Sequence, residues 1–408
     1  MRDDCDILIV GGGLNGPALA LALASAGISS IVLDARPRAE HESADFDGRA
    51  YALSLSSRRM LEVLGIWSRV EARAQQIEAI KISDGRPGEG ASSLHLHFQS
   101  AEIDEGAMGH ILEDRFLRAA LLEAMDEAPW VEARSGVRVV RQHVEAGRVR
   151  VELEDGTQLS AALLAGCDGR GSEVARRSGI GRVGWDYRQS SLVCAIEHER
   201  PHCGTAHQFF MPAGPLAILP LPGNRSSIVW TEERSQAEAI SRLFPQEYLR
   251  VLEPRFGDFL GRISLAGGRY SYPLGLTVAE RFVGSRVALV GDAAHGIHPL
   301  AGQGLNLGLR DVAALAEVLS ESFRCGLDLG APDVLESYQR WRRFDTALLA
   351  GATDGINRLF SNDNPVLRLG RDLGLAAVNR LPRLRRGFIR EAAGLSGDLP
   401  RLLQGRAL

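Results

Sequence analysis

The chain has 408 residues, 45% of them apolar and 24% charged, as expected of a soluble globular protein large enough for two domains. Its net charge of −4 gives no reason to expect a nucleic-acid partner. Its five cysteines are widely spread without a C-x-x-C pair, and no stretch reaches about 18 uncharged apolar residues. We therefore expect no disulfide framework, no zinc site, no transmembrane helix and a cytoplasmic location.

The first predicted elements form a dinucleotide-binding pattern. A buried strand over residues 5–10 is followed by G-x-G-x-x-G and by a helix over residues 17–26, and a second strand over residues 31–34 ends in Asp34. The three fingerprint glycines are Gly11, Gly13 and Gly16. Glycines let a backbone approach a pyrophosphate at a helix N-terminus, and Asp34 lies 23 residues after Gly11, where an acid binds ribose hydroxyls. The pattern predicts a dinucleotide site.

The next elements carry two candidate arginines. Residues 47–67 contain Arg49 and then an amphipathic helix, and residues 77–100 predict two strands joined by a polar turn. A helix over about residues 113–128 has Arg115 at its start. Spacing alone assigns neither arginine a role.

The centre of the chain changes to strand patterns. Residues 137–165 predict an antiparallel meander whose last strand runs into Asp168-Gly169, which by itself is only a turn signal. Residues 181–280 combine aromatic residues with short alternating runs and Pro/Gly turns, which predicts an antiparallel sheet. An apolar, aromatic sheet is a suitable wall for a ring-shaped ligand, so we assign it to substrate, although ordinary packing explains most of these aromatics.

Residues 287–311 predict a strand, a tight loop and a helix. The apolar residues 287–290 run into Gly291-Asp292, and a glycine-rich segment then opens a helical pattern. Free backbone N–H groups at a helix start favour an anion, and Asp292 at the strand end can accept hydrogen bonds from sugar-like hydroxyls. Loops of this kind are where open α/β sheets bind ligands.

The run HPLAGQGLNLGLRD, residues 298–311, resembles the signature of the FAD-dependent aromatic hydroxylases of ubiquinone biosynthesis. The resemblance implies an α/β fold, with an FAD/NAD(P)-binding Rossmann-like domain, an inserted, mainly antiparallel β-sheet substrate domain and a C-terminal helical segment. The expected bounds are 1–72, 101–180 and 270–335 for the FAD-binding domain, 73–100 and 181–269 for the substrate domain, and 336–408 for the C-terminal helical region.

The resemblance implies that the glycine-associated motifs together bind one FAD. Its pyrophosphate would lie on residues 11–16, its adenosine ribose on Asp34, its ribityl chain on Asp292 and its isoalloxazine against residues 299–306. The expected cofactor contacts are Gly11, Gly13, Leu14, Asn15, Gly16, Asp34, Arg36, Arg49, Arg115, Asp168, Asp292, Pro299, Gly302, Gln303, Gly304, Leu305 and Asn306.

Four of these contacts rest on different grounds. In the resembled family an arginine approaches the flavin where Arg49 stands, and another often lies against the cofactor where Arg115 stands. The family's second motif, an Asp-Gly associated with FAD and nicotinamide, matches Asp168-Gly169. For Arg36, a contact with the adenine end and simple solvation are both open.

The resemblance also implies the chemistry. Only one dinucleotide fingerprint is present, so NAD(P)H would dock transiently and reduce the flavin. O2 would then form a C4a-hydroperoxyflavin, which hydroxylates the ring of a polyprenylated phenol. We expect no metal ion and assign no catalytic acid or base; His207, Tyr187 and His298 are candidate polar groups beside the ring.

Several alternatives stay open at this point. The protein could be a flavin-dependent prenyl reductase, or a non-catalytic flavin-fold partner in a quinone-biosynthesis assembly. Residues 366–404 mix Leu and Val with arginines, and such a helix either lies on an acidic membrane surface or packs on its own domain with the arginines outside. Peripheral contact with the inner face of the membrane, or with such an assembly, therefore stays open beside the expected cytoplasmic location.

Overall fold

The computed structural model describes residues 3–42, 46, 48–86, 88, 90–102, 104–298, 302–361 and 381–408. A six-stranded sheet is formed by β1 (Ile7–Val10), β2 (Ser30–Asp34), β8 (Val131–Ser135), β12 (Leu163–Gly166), β18 (Val283–Gly284) and β19 (Val287–Leu289). The order across the sheet is β18-β19-β12-β1-β2-β8, and every pairing except that of β18 with β19 is parallel.

Helices cover this sheet, and its strands are buried accordingly. Ile7, Leu8 and Ile9 have no exposed surface, as the continuous apolar runs of parallel strands require. The helices of this part of the chain are α1 (Asn15–Ser25), α2 (Arg38–His41), α3 (Leu55–Val63), α4 (Trp67–Val70), α5 (Asp114–Glu127), α6 (Glu173–Arg177), α9 (Gln303–Arg324) and α10 (Pro332–Phe360).

A second, eight-stranded sheet is mainly antiparallel. Its strands are β5 (Ala79–Arg86), β6 (Gly90–Gln99), β13 (Arg182–His198), β14 (Thr205–Met211), β15 (Gly214–Leu221), β16 (Arg225–Glu233), β17 (Ile263–Ala279) and β20 (His295–Gly296). Their order is β20-β17-β13-β16-β15-β14-β5-β6, and only the β14–β5 pair is parallel among these described strands. Helices α7 (Arg234–Ser241) and α8 (Pro245–Phe256) pack on this sheet. Trp230 of β16 and Tyr248 of α8 are both buried in the core that the sheet and these helices share. The predicted fold class is confirmed.

Two small sheets complete the described strands, and one of them corrects a prediction. They comprise β3 (Ala50–Ser54), β4 (Gln75–Gln76) and β7 (Gly109–Glu113), and β9 (Val139–Glu145), β10 (Arg148–Leu153) and β11 (Gln158–Ala161). The meander predicted over 137–165 was wrong in its last strand, because Leu163 and Leu164 leave it and join the parallel sheet as β12. Both are fully buried, as a central parallel strand requires.

The long strands β13 and β17 carry the second sheet towards the first. Strand β17 pairs with β13 along most of its length and continues to Ala279, across the boundary predicted at 269/270. Near its end Val278 pairs with His295 of β20, directly after the Gly291-Asp292 turn. The predicted substrate sheet therefore reaches, through the backbone, the strand, loop and helix of residues 287–311, which we call the third motif. The division into domains stays a prediction.

The last described helix, α11 (Pro382–Ala392), packs on its own chain. Ile389 is fully buried in a cluster with Met108 and Phe98, and ion pairs join Arg385 to Glu102 and Arg390 to Glu105. For the described residues 381–404 these contacts favour the packed arrangement over a helix lying free on a membrane, and residues 366–380 of the predicted segment lie outside the described residues. Nowhere in the described chain is a helix both long and apolar enough to cross a bilayer.

Buried histidines make the free energy of unfolding of this protein depend on pH. Burial, with Arg58 nearby, lowers the pKa of His110 to about 4, and burial likewise lowers the pKa of His207 to about 4. A histidine in the unfolded chain titrates near 6.5, so between these pH values the unfolded state binds more protons. The stabilisation is complete above pH 6.5 and is lost as the pH falls towards 4.

We expect His110→Phe to reduce this acid sensitivity, because phenylalanine fills the same apolar place beside Trp67 without a proton site. The loss in free energy of unfolding between pH 7 and pH 4.5 should shrink by on the order of 2 kcal/mol. Urea unfolding across this range measures it, with His143→Phe, at an exposed position, as the control. An unchanged pH dependence in His110→Phe would contradict the assignment.

Candidate functional site

Four loops meet at one edge of the six-stranded sheet. They follow β19, β12, β1 and β2, which are adjacent and parallel, so their carboxyl ends share that edge. The residues at these ends are Gly291-Asp292, Cys167-Asp168, Gly11 and Asp34. The carboxyl edge is where open α/β sheets bind ligands, and the structure brings the sequence motifs together there.

The fingerprint glycines form a cradle at the start of α1. Gly11 has φ +114°, and a Cβ on it would overlap the carbonyl oxygen of Cys167; a Cβ on Gly16 would overlap the carbonyl oxygen of Gly11. Gly13 is different, because apart from its two chain neighbours no described residue has an atom within 4 Å of the place where its Cβ would stand. Two glycines are therefore required by the protein's own packing, and the third leaves open space. Leu14 is buried beside them.

Asn15 connects this cradle to the third motif. Its side-chain amide occupies the space that a Cβ on Gly291 or on Gly308 would need. Its Oδ1 atom is buried and accepts no hydrogen bond from any described residue. An unsatisfied buried acceptor costs about 1–3 kcal/mol, so this atom is suited to a donor from a bound ligand.

Asp34 closes the end of β2 and is held by the backbone. Its carboxylate accepts hydrogen bonds from the N–H of Gly12 and, at 2.6 Å, from the N–H of Arg36. Arg36 is exposed, so both alternatives for it, contact with the adenine end of FAD and simple solvation, stay open. Asp34 also lies 3.3 Å from Nε2 of the buried His41.

A chain of polar side chains, most of them buried, links Asp34 to Arg49. His41 Nδ1 lies 3.0 Å from a guanidinium nitrogen of Arg118, which also pairs with Asp114 at 2.6 Å. Asp114 in turn lies 3.2 Å from Arg49 NH2 and accepts a 3.1 Å hydrogen bond from the Tyr51 hydroxyl. The sequence did not predict roles for His41, Asp114 or Arg118. The one pattern that indicates a contact is the i, i+4 spacing of Asp114 and Arg118 on α5, which is typical of an ion pair.

Arg115 points to a different partner. Its guanidinium pairs with Glu113 at 2.7 Å and lies 4.7 Å from the ring centre of Phe116. Arg225 of the second sheet reaches the other oxygen of Glu113 at 3.3 Å. This cluster joins the small sheet that contains β7 to the second sheet, and contact of Arg115 with FAD stays a prediction.

The Asp168 side chain caps the N-terminus of helix α6. Its carboxylate accepts a 2.5 Å hydrogen bond from the Ser172 hydroxyl and a 3.0 Å hydrogen bond from the N–H of Val174, at the first turn of α6. Both oxygens are thus occupied within the chain. Its contact with FAD also stays a prediction.

Asp292 is the acid of the site that remains open. It lies in the 3₁₀ turn Gly291–Ala293, with 41% of its side chain exposed, and Arg170 Nε lies 3.2 Å from its Oδ2. Arg182 donates a 3.2 Å hydrogen bond to its main-chain carbonyl. A partly exposed carboxylate at a strand end, paired with Arg170 on a main chain held by Arg182, is available for ligand hydroxyls.

The start of α9 supplies the opposite wall. Gly302 is its N-cap at φ +64°, and a Cβ there would stand 2.9 Å from the Cβ of Ala52. Gln303 and Gly304 are half-buried in the first turn, and Leu305 belongs to the core. The free N–H groups of this turn give the site a partial positive charge. The predicted contact Pro299 lies outside the described residues.

Asn306 holds α9 to the neighbouring strand. Its Oδ1 accepts hydrogen bonds from Ser54 N at 2.9 Å and from Ser57 Oγ at 2.8 Å, and its Nδ2 donates to the Ala52 carbonyl at 2.7 Å. The side chain is thus used inside the protein, and only its backbone is left for the predicted cofactor contact.

Two of the three candidate ring-side groups lie together. The ring centres of His298 and Tyr187 are 5.3 Å apart, and the Tyr187 hydroxyl donates to Asp354 at 3.0 Å. His298 is fully buried, and neither of its ring nitrogens has a hydrogen-bond partner in the described chain. Burial, together with Arg170, lowers its pKa to about 4, so the ring is neutral at pH 7. His207 instead packs against Phe259, with 4.5 Å between ring centres.

Comparison with known proteins identifies the family. The profile of the FAD binding domain family matches residues 4–348. The ubiquinone hydroxylase UbiL of Rhodospirillum rubrum is 44% identical over 403 residues, which cover 98% of this chain and 92% of that protein. The chain belongs to the FAD-dependent monooxygenases.

Two further comparisons agree with this family. The 3-demethoxyubiquinol 3-hydroxylase of Escherichia coli is 34% identical over 393 residues, covering 96% of this chain and 98% of that protein. The crystal structure of p-nitrophenol 4-monooxygenase PnpA from Pseudomonas putida has a TM-score of 0.80 at 20% identity, covering 97% of this chain and 99% of that one. At that identity the structure shows the shared fold.

The residues at the sheet edge fit FAD, the cofactor of this family. The open space at Gly13 before the α1 N-terminus suits a pyrophosphate, and the orphaned oxygen of Asn15 awaits a donor. Within the described residues, no cluster of three His, Cys, Asp or Glu side chains could hold a metal ion.

Gly13→Ala tests whether FAD fills the open space. The added methyl group meets no described protein atom, so the apoprotein should melt as the wild type does. It would occupy space that the pyrophosphate needs, so the Kd for FAD should rise by about tenfold or more. Titration of flavin fluorescence with apoprotein measures this. Gly355→Ala, at another open glycine, is the control; wild-type affinity in Gly13→Ala would exclude FAD from this space.

Proposed function

We propose that this protein uses NAD(P)H, O2 and bound FAD to hydroxylate the aromatic ring of a polyprenylated phenol on the route to ubiquinone. The observation that carries the proposal is the near full-length similarity to the ubiquinone hydroxylase of Rhodospirillum rubrum. The signature over residues 298–311 supports it independently of overall identity. We further propose that the predicted contacts from Gly11 to Asn306 hold the cofactor.

Bound FAD would supply the redox chemistry by which, with NAD(P)H as reductant, one oxygen atom of O2 enters the ring and the other leaves as water. The protein would position the cofactor and the substrate ring, exclude water from them and provide charge beside the flavin. The N–H groups at the start of α9, with Gly302 as N-cap, would stabilise negative charge on the flavin. Asp34 and Asp292 would fix the two sugar-like parts of the cofactor at separate strand ends.

His298 and Tyr187 are our candidates for the polar side of the substrate pocket. A buried imidazole with two unpartnered nitrogens costs about 1–3 kcal/mol per group, and a phenolic hydroxyl would satisfy one of them. Because His298 is neutral at pH 7, it can accept such a hydrogen bond.

A polyprenylated substrate resides in membranes, so we propose peripheral membrane contact or membership in a quinone-biosynthesis assembly. Half-exposed apolar side chains on or beside α11 would contribute: Leu381, Leu384 and Phe388. Helical geometry places Arg383 and Arg386 on nearly the opposite side of α11 from these three apolar side chains. The arrangement of charges therefore favours neither the membrane surface nor a protein assembly as the partner.

A single-turnover experiment tests the reaction. FAD-loaded protein is reduced anaerobically with NADPH, mixed with 2-prenylphenol and longer prenylphenols, and exposed to ¹⁸O2. We expect a hydroxylated ring carrying one ¹⁸O atom. A product with two added hydrogens and no oxygen would identify a prenyl reductase. Reduced protein that consumes no O2 would indicate a non-catalytic partner, and peroxide alone with every phenol would contradict the proposal.

A further inference from the structure

A fully buried carboxylate lies directly behind the third motif. Asp311, on α9, has no exposed surface. Its Oδ2 accepts hydrogen bonds from the Gly291 N–H at 3.0 Å and from His295 Nε2 at 2.5 Å, and its Oδ1 accepts one from Arg342 Nε at 2.9 Å. The residues that it holds, Gly291 and His295, stand on either side of the Asp292 turn.

Arg342 supplies the counter-charge from α10, outside the predicted FAD-binding domain. Its side chain is buried, and NH1 donates to Asp345 at 2.9 Å. One turn earlier on α10, the Tyr338 hydroxyl donates to the Leu289 carbonyl at 2.8 Å, at the end of β19. Helix α10 thus fastens both the strand before the turn and the carboxylate behind it.

Asp311 is charged in this setting. Burial alone would raise its pKa, but His295 and Arg342 hold the pKa of the carboxyl below its usual range. His295 Nδ1 is buried and has no partner in the described structure, so the ring is bound only through Nε2. An ionised carboxylate is the side chain that can accept all three donors, because an amide would offer one acceptor atom and turn an N–H₂ group towards the other donors.

On its other side the turn is held through Asp292, whose carboxylate pairs with Arg170 and whose main-chain carbonyl accepts a hydrogen bond from Arg182. Neither arginine accepts the Gly291 N–H, which is bound by Asp311. Gly291 has φ +63°, and the amide of Asn15 fills the space beside it. If Asp311 did not accept the Gly291 N–H, that buried donor would lose the only side-chain acceptor that the described structure gives it. The turn would then relax, and the exposed Asp292 carboxylate would lose its fixed direction.

We infer that Asp311 is a positioning residue for FAD, and that Arg342 of the C-terminal helical region keeps it in place. Neither touches the predicted path of the cofactor. They act through the Gly291–Ala293 turn, which presents Asp292 to the site. The inference depends on FAD binding and not on the identity of the substrate, so it stands or fails separately from the proposed reaction.

The test compares FAD affinity with apoprotein stability in four variants. Asp311→Asn is expected to raise the Kd for FAD by about tenfold or more while the apoprotein still unfolds cooperatively. Arg342→Met leaves a buried charge unpaired and should lower both affinity and melting temperature. Arg343→Met, an exposed neighbour on α10, should change neither.

The double variant Asp311→Leu/Arg342→Met separates positioning from mere stability. Replacing both partners by apolar groups removes the unpaired charge, so the apoprotein should melt well above Arg342→Met. Its Kd for FAD should nevertheless stay at least about tenfold above wild type, because Gly291 still lacks its acceptor. Wild-type FAD affinity in the double variant, or in Asp311→Asn, would overturn the inference. If Arg342→Met does not fold, these two variants still decide.

Discussion

The site depends on one contact between segments that are far apart in the chain. The amide of Asn15, in the first turn of α1, fills the space that side chains on Gly291 and Gly308 would take. The loop after β1 and the loop after β19 are thereby fixed to each other, with the start of α9 beside them. Because the two loops are already held against each other, less ordering is left to be done when a ligand binds.

Most of the acidic side chains discussed above are already bound by donors within the protein. Asp114 and Asp311 are buried acids, each surrounded by cationic and neutral donors. Asp34 is occupied by backbone N–H groups, whereas Asp292 stays partly exposed. The N-termini of α1 and α9 add partial positive charge near the same sheet edge. Such an edge suits a ligand with an anionic centre and hydroxyls on both sides, as in FAD.

The sequence predicted the parts of the site that depend on local pattern. Gly11, Gly16 and Asp34 follow directly from strand–loop–helix spacing, and the structure places them at one sheet edge. Side-chain direction was less accessible. Asp168 and Asn306 carry the right chemistry for a ligand, yet Asp168 caps helix α6 through donors a few residues away in the chain. Asn306 instead accepts a hydrogen bond from the backbone of Ser54, which only the folded chain brings close.

Long-range partners were beyond sequence reasoning. Arg342 looks like one of many arginines in an amphipathic helix, and only the packing of α10 on α9 brings it to Asp311. The same limit explains the misplaced last strand of the meander. An apolar run such as Leu163–Gly166 carries no alternation that would tell a meander strand from a parallel core strand, and tertiary pairing decides.

The most direct test is a crystal structure of the protein with FAD bound. The account predicts the pyrophosphate above Gly13 at the α1 N-terminus, the adenosine ribose on Asp34, and the isoalloxazine end at the start of α9, with the contact of Asn15 with Gly291 and Gly308 unchanged. FAD bound away from this edge, or a cradle that must separate from the third motif to admit it, would contradict the account.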